Sequence, residues 1–326
     1  MRPRRFPGSD TLGVHRAPSL VVIGNFDGVH RGHQAVIAAA LGEAAERGLA
    51  PLVVTFHPHP SEVLGRGALP ALTSIERKVS LLLRASDALS VVVEPFTQEL
   101  SRWEPERFAR EILAERLDAR VVIVGENFRF GRDRSGDLAA LRSLGEALGF
   151  VARAEPLTGD AEGLFSSTRV REALRSGDLR RAEQSLGRPH SIAGRVLPGA
   201  GRGRTIGVPT ANLSEIVEIL PPYGVYACLV DREESAGRGA ALARGVMNLG
   251  VRPTLQAGFS AEVHLFDFEG DLYGSKLRVH LIERLREERR FPDLDALRAQ
   301  IAADIAAARA RLADSRPDPR AGGAWF

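Results

Sequence analysis

Short apolar runs alternate with helix-like segments through the first half of the chain. Turn residues bound most of these runs, as is typical of buried strands, and the runs fall at residues 21–23, 52–56, 88–93, 121–124 and 150–154. The segments between them place apolar residues three and four positions apart, as on one face of a helix. Apolar strands that alternate with helices predict an α/β domain whose parallel sheet is covered on both faces.

The pattern changes in the second half, where short strand-like segments follow one another with turn residues between them. These segments fall at residues 190–196, 225–230, 244–249, 261–268 and 277–285. Such spacing predicts an antiparallel sheet or β-barrel. A last helix is predicted from about Asp293, and the apolar stripe that we expect to pack on the barrel consists of Leu294, Leu297, Ile301, Ile305 and Leu312.

Length and composition are those of a globular protein with two domains. The chain has 326 residues, of which 44% are hydrophobic and 26% charged, and this length accommodates about two domains. We expect a basic N-terminal tail at residues 1–18, a first domain at 19–186 and a second at 187–326. The tail lacks the apolar centre of a signal peptide. No run approaches the ~20 apolar residues of a membrane span, so the expected location is the cytoplasm.

Charge and cysteine content exclude several classes of protein. The net charge is only +3, and no dense basic stripe with interleaved aromatic residues indicates a nucleic-acid partner. The single cysteine, Cys228, excludes an intramolecular disulfide and a cysteine zinc cluster. Its apolar surroundings favour a position in the core. We expect no nucleic-acid or membrane partner, and a weak homo-oligomer is possible.

The first apolar run leads through a glycine-rich loop into a helix that ends at Gly48. The loop consists of Gly24, Asn25, Phe26, Asp27 and Gly28. A helix N-terminus that follows a strand and a glycine turn presents free N–H groups and a positive dipole end to an anion. His30 and His33 are three residues apart and share a face there. They could be solvated cap residues, but the surrounding strand, glycines and helix favour a phosphate site.

Two further loops follow strands and should meet this one at the carboxyl edge of the sheet. The first is His57-Pro58-His59-Pro60 and the second is residues 125–131. In the second loop, Phe128 and Phe130 either pack at a strand end or contact a base or flavin ring. The sequence leaves both interpretations open.

A later helix begins at residues 166–171, Ser-Ser-Thr-Arg-Val-Arg. The hydroxyls are ordinary helix caps, but two arginines in the first turn oppose the helix dipole. A bound polyphosphate would remove that conflict by giving Arg169 or Arg171 an anion to meet.

Two stretches of the second half contain residues that suit phosphate binding or proton transfer. Residues 199–213 combine dense glycines, which let backbone N–H groups approach phosphate, with too many apolar residues for a flexible linker. In the strand at residues 261–268, period two places Glu262, His264 and Phe266 on one face, with Val263 and Leu265 on the other. Glu262 is either a solvated carboxylate or a base that accepts a hydroxyl proton.

These motifs resemble those of the bacterial bifunctional riboflavin kinase/FMN adenylyltransferases, also called FAD synthetases. The resemblance covers residues 19–311 and rests on GNFDGVHRGHQ, the loop at 125–131, SSTRVR, GAGRGRTIGVPTAN and the segment from Glu262 to Gly274. Asn127 stands where many members carry Asp, so a carboxylate role is not carried over to it. The family implies a Rossmann-like HxGH nucleotidyltransferase domain followed by a β-barrel kinase domain with a terminal helix.

The resemblance also implies roles for individual residues. His30, His33 and Glu262 would be catalytic, with Glu262 as the base of the kinase. ATP phosphates would meet Gly24, Asn25, Phe26, Asp27, Gly28, Ser167, Thr168, Arg171, Gly201, Gly203, Arg204, Thr205 and Gly207. The flavin would contact His59, Pro60, Asn127, Phe128 and Phe130. Thr210 and Asn212 would bind Mg²⁺, which accompanies ATP as co-substrate.

The implied function is flavin cofactor synthesis. The second domain would phosphorylate riboflavin to FMN, and the first would transfer an adenylyl group to FMN, releasing pyrophosphate and forming FAD. A first alternative is a nucleotidyltransferase for another phosphorylated alcohol with a flavin-sensing barrel; the presence of Thr210, Asn212 and Glu262 argues against it. A second is a non-catalytic nucleic-acid-binding protein.

Overall fold

The computed structural model describes residues 4–12, 17–65, 67, 70–156, 158–199, 203, 206–234, 239–251 and 259–326. The chain forms two compact units. The first contains Met1–Leu69 and Lys78–Ser166, and the second contains Pro70–Arg77 and Ser167–Phe326. This division groups residues 167–186 with the barrel, whereas the boundary at 186/187 stays a prediction from the sequence.

The first unit is built on a six-stranded parallel sheet. Its strands are β1 (Arg5–Phe6), β2 (Ser19–Ile23), β3 (Ala50–His57), β4 (Ser90–Pro95), β5 (Ala119–Gly125) and β6 (Val151–Glu155). The strand order is β1-β4-β3-β2-β5-β6, and every neighbouring pair is parallel. Because the order reverses beside β2, the carboxyl ends of β2 and β5 border the crevice where such sheets bind ligands.

The predicted α/β pattern is confirmed, with one strand that the sequence did not reveal. Strand β1 lies within the predicted N-terminal tail and pairs with β4. It is only two residues long, so it has no periodicity from which it could be recognised. All five residues of β2 are buried, which explains why the central strands read as uninterrupted apolar runs.

The segments between these strands contain helices, as the alternating pattern predicted, although the sequence did not predict the short helices that begin at Pro60 and Gln98. The helices are α1 (Arg31–Arg47), α2 (Pro60–Val63), α3 (Ile75–Leu83), α4 (Gln98–Ser101), α5 (Pro105–Phe108) and α6 (Leu138–Leu148). Helix α1 ends at Gly48, which adopts a left-handed conformation with φ 64°. Helix α5 continues as a π-helix over Ala109–Arg116. Phe108, Ile112 and Leu113 face inward and are at most 5% exposed. Strands β7 (Gly159–Asp160) and β8 (Gly163–Leu164) form a small hairpin.

The second unit contains a closed barrel of six antiparallel strands. They are β9 (Ser191–Leu197), β10 (Ala211–Ser214), β11 (Gly224–Glu233), β12 (Gly239–Val251), β13 (Phe259–Leu265) and β14 (Lys276–Glu287). The order around the barrel is β10-β13-β12-β11-β14-β9, and β9 pairs with β10 to close it. The predicted barrel is therefore confirmed. The sequence missed β10, because its four residues lie at the end of the glycine-rich stretch and only Leu213 among them is buried.

Helices α7 (Ser167–Ser176), α8 (Leu179–Leu186) and α9 (Leu294–Leu312) complete this unit. The side chain of Asp293 caps α9 as expected by accepting from the Ala296 N–H at 2.7 Å. The later turns of α9 pack in a cluster with barrel residues, and Leu312 is fully buried. Leu294 differs from the predicted stripe, since 49% of it is exposed. Cys228 lies buried in the barrel core, as predicted, and burial raises the pKa of its thiol.

A group of polar side chains is buried in the second unit. His280 donates through Nε2 to the Asp231 carboxylate at 2.9 Å, and the Trp325 N–H donates to the same carboxylate at 2.9 Å. His190 donates to the Ile219 carbonyl at 2.9 Å. Burial lowers the pKa of both His190 and His280 to about 4. Both imidazoles are therefore neutral in the folded protein near pH 7.

Within the described ranges, none of the helices combines the length and apolar character that a membrane span requires.

Candidate active sites

Two histidines meet at the N-terminus of α1. His30 is the N-cap residue, and its Nδ1 accepts a hydrogen bond from the His33 backbone N–H at 3.4 Å. The two imidazole rings stack with their centroids 3.6 Å apart. The predicted shared face is thus confirmed. A side chain at position 32 would place its Cβ 3.1 Å from the His30 ring and 3.3 Å from the Phe165 carbonyl oxygen, so Gly32 permits this stack.

The environment of His33 keeps its imidazole neutral. Burial is the main cause that lowers its pKa well below the ordinary value, and the nearby charges of His30 and Lys78 act in the same direction. Its buried Nδ1 has no hydrogen-bond partner within the described ranges. A neutral imidazole can donate one N–H to a phosphate oxygen. The site therefore offers oriented donors, together with the N–H groups that begin α1.

These histidines open into a cavity of about 870 Å³ in the first unit. Loops from the carboxyl ends of β2, β3, β4 and β5 contribute to its wall, as the sheet order requires. Ten predicted site residues line it: Gly24, Asn25, Phe26, His30, His33, His59, Pro60, Asn127, Phe128 and Phe130. Asp27 and Gly28 lie outside this wall. Asp27 is nevertheless buried, and Gly28 has a φ of 81°.

One end of the cavity is aromatic. Phe128 and Phe130 stack with their centroids 5.5 Å apart. Phe130 is 7% exposed and belongs to the sheet core, whereas Phe128 is only partly buried. The packing interpretation therefore holds for Phe130, whereas contact with a base or flavin ring stays a prediction for a loop whose two rings line the cavity. A flat ring system could stack in such surroundings.

Several residues that line the cavity were not identified by reasoning from the sequence. Trp103, Arg102, Phe96 and Arg134 all contribute to the cavity wall. The first three follow β4, so the rule that ligands gather beyond the carboxyl ends of parallel strands could have found them. Their segment carries no compact motif, which is why it did not attract attention.

The predicted phosphate-gripping residues at the start of α7 belong to the second unit. Ser167 and Thr168 form the first turn of that helix. Arg171 is only 8% exposed, and its Nε donates to the Pro70 carbonyl at 3.4 Å. Arg169 is 6% exposed. The phosphate-binding roles of Ser167, Thr168 and Arg171 stay predictions.

In the barrel, a carboxylate lies among oxygen and amide groups contributed by neighbouring strands. Glu262 on β13 lies opposite Asn212 on β10 and opposite Asn248 on β12. The Thr210 hydroxyl donates to Glu262 Oε2 at 3.4 Å, and the Ser260 hydroxyl donates to Glu262 Oε1 at 2.9 Å. Val263 and Leu265 are buried in the barrel core on the opposite face, as the period of two predicted.

Close backbone packing explains some of the glycines before Thr210. A Cβ at Gly203 would lie 2.3 Å from the Val208 carbonyl oxygen. Gly207 has a φ of 80°. Gly203 accepts from the Val208 N–H at 2.8 Å, which closes the turn. The predicted phosphate residues Gly201, Arg204 and Thr205 lie outside the described residues.

The oxygen donors of this cluster suit Mg²⁺. Thr210 and Asn212 supply a hydroxyl and an amide oxygen, and hard cations prefer oxygen ligands. The described residues contain no group of three or more His, Cys, Asp or Glu side chains that could hold a metal ion.

Comparisons with known proteins match both units. A family model described as FAD synthetase matches residues 14–169, and one described as riboflavin kinase matches residues 186–312. A bifunctional riboflavin kinase/FMN adenylyltransferase from Pseudomonas fluorescens is 42% identical over 94% of this chain and 97% of its own length. The protein of the same name from Escherichia coli K12 is 38% identical over 94% of this chain and 98% of its own.

A solved structure also resembles the chain. It is titled a macrolide-efflux protein from Streptococcus pneumoniae, and it is 27% identical with a TM-score of 0.77. The match covers 92% of this chain and 96% of that one.

Proposed function

This chain belongs to the family of bifunctional riboflavin kinases/FMN adenylyltransferases, and we propose which residues of each unit carry the two reactions. As a member of that family it is an enzyme that phosphorylates riboflavin to FMN and adenylates FMN to FAD. The observation that carries the assignment is that each compact unit contains its own cluster of chemically suitable side chains. One is the histidine stack at α1, and the other is the carboxylate cluster around Glu262.

The adenylyl transfer is assigned to the cavity of the first unit. The phosphate of FMN is already anionic near neutral pH, so its attack on the α-phosphorus of ATP needs no strong base. The protein has to align the two anions and stabilise the charge that spreads to the leaving pyrophosphate. His30, His33 and the N–H groups that begin α1 are proposed for this role. The phosphate-binding roles of Ser167, Thr168 and Arg171 stay predictions from the sequence.

The same cavity is proposed to hold the flavin. Its aromatic end offers Phe128 to the isoalloxazine ring, supported by Phe130 from behind. His59, Pro60 and Asn127 line the same cavity and are proposed as further flavin contacts. The cavity volume of about 870 Å³ is within the range of pockets that enclose sizeable ligands.

The phosphorylation of riboflavin is assigned to the barrel. The ribityl 5′-hydroxyl is neutral, so its attack on the γ-phosphorus of ATP benefits from a base that accepts its proton. Glu262 is the proposed base, and among the residues that the structure describes its Oε2 accepts a long 3.4 Å contact from the Thr210 hydroxyl. The backbone around Gly201, Gly203, Arg204, Thr205 and Gly207 is proposed to contact the ATP phosphates.

Thr210 and Asn212 are proposed to hold Mg²⁺. When bound, that ion neutralises charge on the ATP phosphates. The protein groups orient the hydroxyl and the triphosphate toward each other. A cytoplasmic location and a weak homo-oligomer stay predictions.

The assignment is tested by incubating the purified chain with riboflavin, ATP and Mg²⁺ and separating FMN and FAD by chromatography. We expect FMN to appear first and FAD to follow. FAD formation from supplied FMN, without any FMN formation from riboflavin, would instead favour a barrel that only senses flavin. Adenylylation of a different phosphorylated alcohol in preference to FMN would contradict the flavin assignment of the first unit.

A further inference from the structure

The two carboxylate oxygens of Glu262 are held unequally. Oε1 accepts from the Ser260 hydroxyl at 2.9 Å, whereas Oε2 accepts from the Thr210 hydroxyl at 3.4 Å. The first distance is that of a good O–H···O hydrogen bond, and the second is longer than the usual range of such bonds. One oxygen is therefore firmly bound within the protein, and the other can exchange its partner.

Ser260 is placed by the strand to make this contact. It lies two residues before Glu262 on β13, so both side chains emerge on the same face. Ser260 is only 8% exposed, and its backbone is fixed opposite Gly250 in the ladder with β12. A buried hydroxyl in a fixed strand has little freedom, and so it restrains the carboxylate that it binds.

We propose that Ser260 is the positioning residue of the kinase base: it holds Glu262 Oε1 so that Oε2 faces the ribityl hydroxyl of riboflavin. This inference rests on the proposed role of Glu262. Ser260 itself does not touch the substrate. When riboflavin binds, its hydroxyl takes the place of the weak Thr210 contact at Oε2. The hydroxyl gives its proton to Oε2 as its oxygen bonds to the γ-phosphorus of ATP, while the bond from that phosphorus to the bridging oxygen breaks and ADP leaves. The Ser260 contact persists throughout.

The test compares Ser260→Ala, Ser260→Thr and Ser260→Cys with the wild type. Ser191→Ala is the matched control, because Ser191 is also 8% exposed and lies on β9 of the same barrel. We expect Ser260→Ala to lower kcat for FMN formation about ten- to a hundredfold, as loss of a hydrogen bond to a charged group implies. The KM values for riboflavin and ATP should change little, and Thr should restore most of the rate.

A double variant separates positioning from general destabilisation. If Ser260 acts through Glu262, then Ser260→Ala adds no further loss when Glu262→Ala is already present. The cysteine variant keeps the volume of serine but donates weakly, so it tests the hydrogen bond even if the alanine variant does not fold. Its rate should lie between those of the alanine variant and the wild type.

Two results would overturn the proposal. The first is a kcat of Ser260→Cys or Ser260→Ala equal to that of Ser191→Ala. The second is an equal fractional loss from Ser260→Ala with and without Glu262. Failure of the wild-type protein to phosphorylate riboflavin would instead refute the kinase assignment itself. The two failures can be distinguished, because this one is measured on the wild type and the others on the Ser260 variants.

Discussion

The two candidate sites are assembled in opposite ways, although both are proposed to bring ATP to a flavin. The first is made of loops that follow parallel strands, and its histidines are three residues apart at one helix N-terminus. The second is made of side chains that meet across antiparallel strands, with Glu262 opposite Asn212 and Asn248. The nucleophile explains the difference. An anionic phosphate needs donors that stabilise charge, whereas a neutral hydroxyl also needs a base.

The largest effect is expected from removing the proposed base of the barrel site. This change tests whether the two sites work independently. Glu262→Ala should lower FMN formation about 10²- to 10⁴-fold, the usual contribution of a general base. FAD formation from supplied FMN should be unaffected, because the first unit has its own donors. Both rates are measured by chromatography on the same preparation. The control is Glu287→Gln, an exposed carboxylate on β14, which should leave both rates unchanged.

An equal loss of both activities in a folded Glu262→Ala protein would show that the sites are not independent. Unchanged FMN formation would instead show that the barrel works without this carboxylate.

The reverse experiment removes a donor from the first site. His33→Ala should lower FAD formation about 10²- to 10³-fold, comparable with the loss of one oxyanion donor, and should spare FMN formation. Arg31→Ala is the matched control, because Arg31 lies on the same helical turn but extends over the Phe165 ring, 5.9 Å from its centroid. If Arg31→Ala proved as damaging as His33→Ala, the assignment of the phosphate site to the stacked histidines would be wrong.

The contrast between the sites also explains how much could be predicted from the sequence. The histidines, the glycine loop and the start of α1 are contiguous in the sequence. A local pattern was therefore enough to predict that they lie together. The alternation of strands and helices predicted the sheet for the same reason. The barrel closure could not be predicted so well, because β10 is only four residues long and is defined by its partners β9 and β13.

Residues outside compact motifs were the ones that sequence reasoning missed. Ser260 is an ordinary strand serine until its distance to Glu262 is known. Trp103 joins the cavity wall only because β4 delivers its segment to the same edge as β2 and β5. Such roles depend on long-range packing, which periodicity does not encode.

Acidification should destabilise the second unit measurably through its two buried histidines. In the second unit, burial lowers the pKa of His190 and His280 to about 4, whereas in the unfolded chain it is about 6.5. The unfolded state therefore binds protons more readily, so stability is full above pH 6.5 and falls between pH 6.5 and 4. The loss should be at most about 3 kcal/mol for each histidine.

The two tryptophans allow the loss of stability on acidification to be measured in the second unit alone. Trp103 belongs to the first unit and Trp325 to the second, so the Trp103→Phe variant reports the barrel unit by fluorescence. Its thermal midpoint should fall as the pH is lowered through this range, and adding His280→Gln should make the fall shallower. A midpoint that does not change between pH 6.5 and 4 would contradict neutral, buried imidazoles.

The smallest predicted effect concerns the stacked phenylalanines of the first cavity. Because they are proposed to bind the flavin and not to take part in adenylyl transfer, a change there should alter FMN binding but not the rate of the chemical step. Phe128→Ala removes one ring of the stacked pair, and an aromatic contact of this kind contributes about 0.5–1.5 kcal/mol. The KM for FMN should therefore rise about two- to tenfold in FAD formation, with kcat nearly unchanged and the kinase unaffected. Phe128→Trp should retain a low KM because it keeps a flat ring at that position. A fall in kcat at unchanged KM would show instead that Phe128 supports the histidine site rather than the flavin.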